Sequence, residues 1–485
     1  MKLFSFLLLI FAAPANGRDP DQVLAVTPLA RDHLLFLMSE RSGDLFLDFW
    51  TAPTEIGKVV HVMGLLSNIK TFKKRLDVRF IPYEVAISNV EEWLAKSNED
   101  LRGRRDADSN SNAQHFNVSR YNTYPDIVKY LKDLTVRFPE IARIQSIGQT
   151  HEKRDIMLIE ISANSTMKKP AVWIDGGIHA REWLAPATVT YMISLLTEGY
   201  GSDLVVTELV DSLTWYIVPV LNPDGYEFSW NSTRNRLWRK NRSPENCFNS
   251  SGLNMSSVYL QDLSIKEMDG FFCCQGVDLN RNFGWHHAER ESLFERTPCT
   301  EQYSGASAFS EPETAAVRNF LSVRADWVKV FLSFHAYSQY LMYPYSYDKW
   351  EHPDDIDDLH KTGLRAAAAL KAVYGTKYKV GTVADVIYEV SGSSVDWAKG
   401  SLKIKYVYAF ELRPFETKDF NVDQASYKYE GIVETAVETW EAVKVIANDS
   451  LSFHRNITIP DMPVSNANCV ILYACCICIL LHLIF

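Results

Sequence analysis

Ala171-Val172-Trp173-Ile174-Asp175-Gly176-Gly177-Ile178-His179-Ala180-Arg181-Glu182 decides the fold of this chain. Its first part reads as a short strand, because a short apolar run leading into a glycine turn suits a strand buried on both faces. The glycines then soften a tight turn. His179 and Glu182 follow three residues apart, so one turn of backbone can close an imidazole and a carboxylate on a single metal ion. In an open α/β sheet, chemistry collects just past the carboxyl ends of strands, and this pair stands there. Alone, His-x-x-Glu is a weak signal and reads more readily as a hydrogen-bonded surface pair.

The rest of the chain tips that balance. Leu213 to Val220, Val328 to Phe334 and Tyr406 to Phe410 are further short apolar or β-branched runs, each expected as a central strand. Ala185 to Leu196, Asp357 to Val373 and Gln424 to Ile446 have helical patterning. Ser310-Glu311-Pro312-Glu313 is expected to start another helix, with Ser310 as cap and Glu313 closing the capping box. From about Phe116 onward this alternation predicts an α/β unit with a mixed central β-sheet flanked by helices. Three of the strands end in residues of catalytic type: His179 with Glu182, then His335, then Glu411. Two histidines, one carboxylate and an open fourth position make a catalytic zinc site. A further carboxylate beside it is the natural base for the attacking water. Taken singly, His335 reads as a satisfied core histidine and Glu411 as a partner of Arg413; the coincidence of four favours a site.

With 485 residues, 47% of them hydrophobic, the chain can bury a large core and a smaller one. The net charge of −10, with no basic face, argues against nucleic acid as a partner. Lys2, the apolar run Leu3 to Pro14 and the small residues Ala15 and Gly17 predict a secretory signal over residues 1–17. Val23 to Asn98 reads as a small α+β module. It has strand-like Asp44 to Trp50, Val59 to Met63 and Val78 to Tyr83, and a helix from Ser88 to Ala95 capped by Ser88 with Glu91. Arg102-Gly103-Arg104-Arg105 opens a polar linker and fits a convertase-type cleavage site. The expected plan is a propeptide over 18–105, a catalytic domain over 106–447, a polar stalk over 448–468 and a hydrophobic tail over 469–485. That tail reads either as a lipid-anchor (GPI) signal or as a short membrane span.

Outside the tail there are four cysteines, Cys247, Cys273, Cys274 and Cys299. Adjacent Cys273 and Cys274 rarely pair with each other, so each is expected to bond one of the other two. Glycan acceptor motifs at Asn117, Asn164, Asn231, Asn249, Asn254, Asn448 and Asn456 suit a secreted surface. Asn241 also matches, but its arginine-rich surroundings and the nearby Pro244 argue against its use.

Several stretches together resemble the metallocarboxypeptidases of the pancreatic carboxypeptidase A/B type. They are Gly177 to Trp183, Asn222-Pro223-Asp224-Gly225-Tyr226, Asn235 to Lys240, Gly276 to Asn282, Ser333 to Ser338, Ile387-Tyr388, Phe410 to Arg413 and, in the first module, Leu47 to Trp50. The resemblance implies that family's fold, preceded by a ferredoxin-like activation propeptide. It implies one Zn2+ on His179, Glu182 and His335, with Glu411 as general base and Arg239 facing the developing oxyanion. Asn280 and Arg281 would hold the terminal carboxylate of a peptide or protein C-terminus. Tyr388 would cap the end residue, and Arg181, Tyr337 and Phe420 would contact residues upstream. Val395 stands where B-type enzymes carry aspartate at the pocket floor, and Met342, Val383, Ile387, Val390 and Ala409 match its walls. An apolar floor implies A-type preference for apolar or aromatic end residues. Bulky Ser346 and Val390 lean towards aliphatic ones. The resemblance pairs Cys274 with Cys299, which leaves Cys247 with Cys273. The chain departs from the family in a long insertion between Arg242 and Cys274, in Pro414 to Lys418, and in its tail. The insertion and the tail suggest a cell-surface role, and Pro414 to Lys418 a different loop behaviour near the site. The competing expectation is a surface peptide-binding protein of the same fold without catalysis.

Overall fold

The computed structural model describes residues 19–41, 43–96, 116–166, 168–249, 266–268, 271–292, 295–413 and 431–458. The expected signal, the Arg102–Arg105 processing site, Asn254, Pro414 to Lys418, Phe420 and the hydrophobic tail lie outside them.

The first unit is a four-stranded antiparallel sheet. Strands β1 (Asp21–Val26), β2 (Asp48–Phe49), β3 (Val60–Leu65) and β4 (Tyr83–Ile87) stand in the order β2-β3-β1-β4. Helices Arg31–Arg41 and Leu66–Val78 complete a split βαβ, ferredoxin-like arrangement. The period of two in a strand divides its side chains between two faces. Leu24, Val26, Val60 and Val62 pack on Phe36, Leu37, Ile69 and Phe72 of the helices. Val23 and Ile87 instead join Val90 and Leu94, and this second cluster meets Leu237 and Tyr337 of the following unit.

Three local expectations fail here. Of Asp44 to Trp50 only Asp48–Phe49 is strand, because the chain turns at Asp44 and Leu45 and Phe46 takes a φ of +47°. Val78 to Tyr83 is not one strand: the helix runs to Val78 and β4 begins only at Tyr83. Ile69, Phe72 and Leu76 recur at helical spacing and are fully buried, and that packing overrides the β-preference of Val78. The helix over 90–96 is capped by Asn89, whose Oδ1 accepts from the Glu92 amide at 3.2 Å, and not by Ser88.

The second unit is built on an eight-stranded mixed sheet. Its strands are β5 (Ala142–Gln149), β6 (Asp155–Ile161), β7 (Ala171–Gly176) and β8 (Thr214–Val218), followed after an insertion by four more. The insertion holds β9 (Asn246–Asn249), β10 (Lys266–Met268) and β11 (Phe271–Cys274), which form a separate antiparallel sheet. Cys247 and Cys273 are register partners there and share a disulfide, while Cys274 bonds Cys299. The main sheet resumes with β12 (Val328–Ala336), β13 (Tyr340–Tyr343), β14 (Lys379–Thr382) and β15 (Tyr406–Leu412). Its order is β14-β13-β15-β12-β7-β8-β6-β5.

Both faces of the central strands are covered. Val172, Ile174, Leu332, Phe334, Tyr408 and Phe410 pack under helices Tyr124–Arg137, Leu184–Gly199, Ile356–Tyr374 and Ile432–Thr458. Trp173, Phe331, Val407 and Ala409 face the other way, towards helices Pro312–Ser322 and Ser394–Gly400. The four expected central strands are therefore present. The helix Pro312–Ser322 is present too, but its cap residue is Glu311 with no side-chain cap bond; Ser310 Oγ donates to Glu311 Oε1 instead. The last helix continues through Asn448 to Thr458 with Ser450 and Leu451 buried, so the expected stalk boundary at 447 falls inside a helix. Among the described residues, no helix is long and apolar enough to cross a membrane.

Candidate active site

The central position of β12 assembles the site. It pairs in parallel with β7 on one side and β15 on the other. His335 and Glu411 are direct register partners. Both alternate with Phe334 and Phe410 of one face, so both project to the face that Val407 and Ala409 share. On the other flank, β7 ends at Gly176 and the chain turns at Gly177, whose φ of +64° favours glycine. A Cβ there would stand 2.8 Å from Pro186. This turn delivers His179 and Glu182 beside His335. The Ala180 amide donates to the Arg239 carbonyl at 3.0 Å, which draws the Arg239 segment alongside.

The three side chains converge. His179 Nδ1 lies 2.7 Å from Glu182 Oε1, His335 Nδ1 lies 3.1 Å from Glu182 Oε2, and the two Nδ1 atoms face each other at 3.2 Å. All three residues are buried, with their ligand-type atoms within 4.8 Å of one another. Two imidazole nitrogens turned on each other and on one carboxylate are poorly satisfied by a single proton between them. A cation satisfies all three, and two imidazoles with a carboxylate suit zinc.

The outer nitrogens are tied down. His179 Nε2 lies 3.1 Å from Asp278 Oδ1. His335 Nε2 lies 3.3 Å from Ser333 Oγ, which donates onward to Asp175 Oδ1 at 2.7 Å. Each Nε2 thus carries the proton and each Nδ1 keeps its lone pair for a metal. Burial pushes Asp175 up to about 6, against the hydrogen bonds from Ser333 and Trp173. Burial also opposes ionisation of Asp278, but Arg239, Arg281 and His179 hold that carboxyl well below its ordinary range. Arg239 grips Asp278 Oδ2 through Nε at 3.1 Å and Nη2 at 2.9 Å. Asp278 therefore orients a ligand and an arginine together. Asp278→Asn should weaken zinc binding roughly 10–100-fold. Competition with a chromophoric chelator measures this, and unchanged affinity would leave Asp278 serving Arg239 alone.

One cavity is lined by His179, Glu182, His335, Arg239, Asn280, Arg281, Arg181, Tyr337, Tyr388, Val395 and Glu411. Thus every expected ligand, catalytic and substrate-contacting residue among the described ones shares it, but Ser346, expected at the pocket, does not line it: its amide and hydroxyl are buried on the Asp396 carboxylate. Asn280 is held by the Ser394 amide, which donates to its Oδ1 at 2.9 Å. Gly392, at φ +68°, lets that loop cross the Arg281 carbonyl, which a Cβ would approach to 2.1 Å.

The roof of the cavity comes from the first unit: Phe49, Trp50, Thr51, Ala52 and Trp93. Asp48 accepts two hydrogen bonds from Arg181, and the Arg41 guanidinium lies 3.6 Å from the centre of the Tyr388 ring. The sequence reading gave no role to Asp48, Asp278, Ser333 or Asp175. Asp278 stands three residues before Arg281, which was the available signal; Asp48 has no arginine within six residues and offered none. Ser333 and Asp175 offered none, because their partnership crosses two strands.

Comparison with known proteins extends this. Residues 127–442 match the zinc carboxypeptidase family, and residues 25–97 match the carboxypeptidase activation peptide. Carboxypeptidase A2 of Rattus norvegicus is 35% identical over 431 residues, covering 88% of this chain and 93% of the relative. Carboxypeptidase B of Astacus astacus is 36% identical over 328 residues, covering 68% and 96%. The crystal structure of the carboxypeptidase A from Helicoverpa armigera superimposes with a TM-score of 0.76 at 26% identity, over 90% of this chain and 99% of that one. Since the match runs through the roof as well as the sheet beneath it, this chain belongs to the zinc carboxypeptidase family and carries that family's activation peptide ahead of the enzyme.

Proposed function

We propose that the chain is the secreted zymogen of an A-type carboxypeptidase, removing apolar or aromatic residues from peptide and protein C-termini. The observation that carries the preference is the buried Val395 at the cavity wall, with Met342, Val383, Ile387, Val390 and Ala409 around it. The next residue, Asp396, is no partner for a cationic substrate. Its oxygens accept from the Ser346 amide and hydroxyl at 2.7–2.9 Å and from the Tyr347 amide at 3.0 Å. A lysine or arginine tail entering here would be buried unpaired, which is costly. Relatives named A and B stand at similar identity, 35% and 36%, so the pocket residues and not overall likeness support this reading.

His179, Glu182 and His335 hold the zinc, which when bound polarises the scissile carbonyl and lowers the pKa of the attacking water. Asn280 and Arg281 take the free carboxylate, a group no internal peptide bond presents; the guanidinium fork suits it. Glu411 takes the proton of the attacking water and returns it to the leaving amine. Arg239 faces the oxygen on which charge develops. Tyr388 closes over the end residue, with Arg181, Tyr337 and Phe420 along the preceding ones. In the zymogen, the Asp48–Arg181 pair and the Arg41–Tyr388 contact block those positions. Secretion through residues 1–17, cleavage at Arg102–Arg105 and membrane attachment through 469–485 rest on the sequence.

Processed protein should release C-terminal Phe or Leu from a blocked dipeptide and lose that activity to a chelator. Zinc-loaded, processed protein without turnover would favour the silent peptide-binding reading. Val395→Asp should shift kcat/KM towards C-terminal Lys and Arg. An unchanged ratio of Phe to Arg release would move the pocket floor to another residue.

A further inference from the structure

A second cluster of ligand-type side chains lies outside the catalytic cavity. His151 sits in the turn between β5 and β6, and Glu311 and Glu313 flank the start of the helix Pro312–Ser322. Their ligand-type atoms lie within 4.8 Å of one another, and none of the three lines the catalytic cavity. His151 Nε2 is 3.0 Å from Glu311 Oε2. Glu313 is fully buried and Glu311 nearly so, while the imidazole is 27% exposed and opens the cluster to solvent.

Of the two carboxylates, Glu311 is well supplied with partners and Glu313 is not. Asn241 Nδ2 donates to Glu311 Oε2 at 2.7 Å and to Glu313 Oε2 at 3.1 Å. Ser310 serves Glu311 Oε1 at 2.8 Å. Glu313 Oε1, out of contact with water, has no hydrogen-bond partner. A buried carboxylate oxygen left so is expensive. His151 as an imidazolium does not mend this, because its near nitrogen meets Glu311 Oε2, which Asn241 already serves. Neighbouring Asp224, a carboxylate, has no hydrogen to donate, and it engages the nearby donors itself, accepting from Thr150, Arg154 and the Glu152 amide.

We propose that His151, Glu311 and Glu313 form a second binding site for a divalent cation of the zinc class. One imidazole nitrogen with two carboxylates is a donor set that zinc accepts, whereas magnesium and calcium favour oxygen alone. The cation would clamp the β5–β6 turn to the helix Pro312–Ser322. The clamp reaches the catalytic side through Asn241, two residues from Arg239, whose Oδ1 accepts from the Val277 amide at 2.8 Å beside Asp278. Its role is to brace the floor under Arg239 and Asp278.

Full-length protein equilibrated with low free zinc should hold two equivalents by elemental analysis. His151→Ala should hold one, His335→Ala one, and the double variant none. The catalytic zinc rests on the proposed function, and the His335→Ala arm tests it separately. Zinc should raise the Tm of His335→Ala but not of the double variant, and processed His151→Ala should still release C-terminal residues. Glu313→Gln, which keeps the side-chain volume, repeats the test should His151→Ala fail to fold. A single equivalent in the native chain that His151→Ala keeps and His335→Ala loses, or two retained in folded His151→Ala or Glu313→Gln, would overturn the second site.

Discussion

Glu411→Gln should cost the processed enzyme roughly 10²–10⁴-fold in kcat while leaving zinc content and KM nearly unchanged. The amide keeps the shape of the carboxylate and removes its capacity to take a proton. Zinc binding should survive because the converging donor atoms belong to His179, Glu182 and His335. Substrate binding should survive because Asn280 and Arg281 are held by the loop around Ser394 and Gly392, on elements separate from β15. The register pairing of Glu411 with His335 makes the prediction specific: neighbouring strands set the base one strand spacing from a ligand. Steady-state kinetics on a blocked dipeptide ending in Phe, with metal analysis of the same sample, test it. A zinc-replete variant with native kcat would remove Glu411 as the base.

Arg239→Ala should lower kcat roughly 10²–10³-fold, the usual effect of removing one oxyanion donor. A second consequence follows from the structure. Arg239 is one of the groups that keep the buried Asp278 ionised, and Asp278 in turn holds His179. Removing the arginine leaves that carboxylate with the Asn280 amide at 3.0 Å, His179 at 3.1 Å and the more distant Arg281 at 4.0 Å. Zinc affinity should therefore fall as well. Arg239→Lys separates the two effects, because it restores a positive charge beside Asp278 without the two-pronged donor geometry. Zinc affinity should recover with lysine while kcat stays low. Recovery of kcat together with affinity would show that Arg239 acts only by holding Asp278.

Strands were legible where apolar residues ran together without polar interruption, as in Val328 to Phe334 and Tyr406 to Phe410. Such runs lie buried on both faces here, so their composition alone announced them. The chemistry was legible for a related reason. His335 and Glu411 are polar residues at the end of otherwise apolar stretches, and burying such groups carries a cost that function explains. Local boundaries were less legible. Ser310 looked like a cap, yet its hydroxyl turns to Glu311, because Asn282 and the Glu311 carboxylate offer it a buried network. Val78 looked like strand and is helix, because three buried neighbours at helical spacing outweigh one residue's preference.

From residue types and spacing alone, the chain determined its α/β class and pointed to His179, Glu182 and His335 as candidate ligands with Glu411 as candidate base; the apolar pocket floor at Val395 came only with the family resemblance. The sheet order determined the rest. Only pairing across strands distant in sequence puts β12 between β7 and β15, and so brings Glu411 level with His335. Only tertiary packing joins Ser333 to Asp175, Asp278 to both His179 and Arg239, and Asp48 to Arg181. The reason is physical. Burial and local pattern are properties of a short segment. A hydrogen bond between groups 99 or 133 residues apart is set by how the whole chain closes on itself.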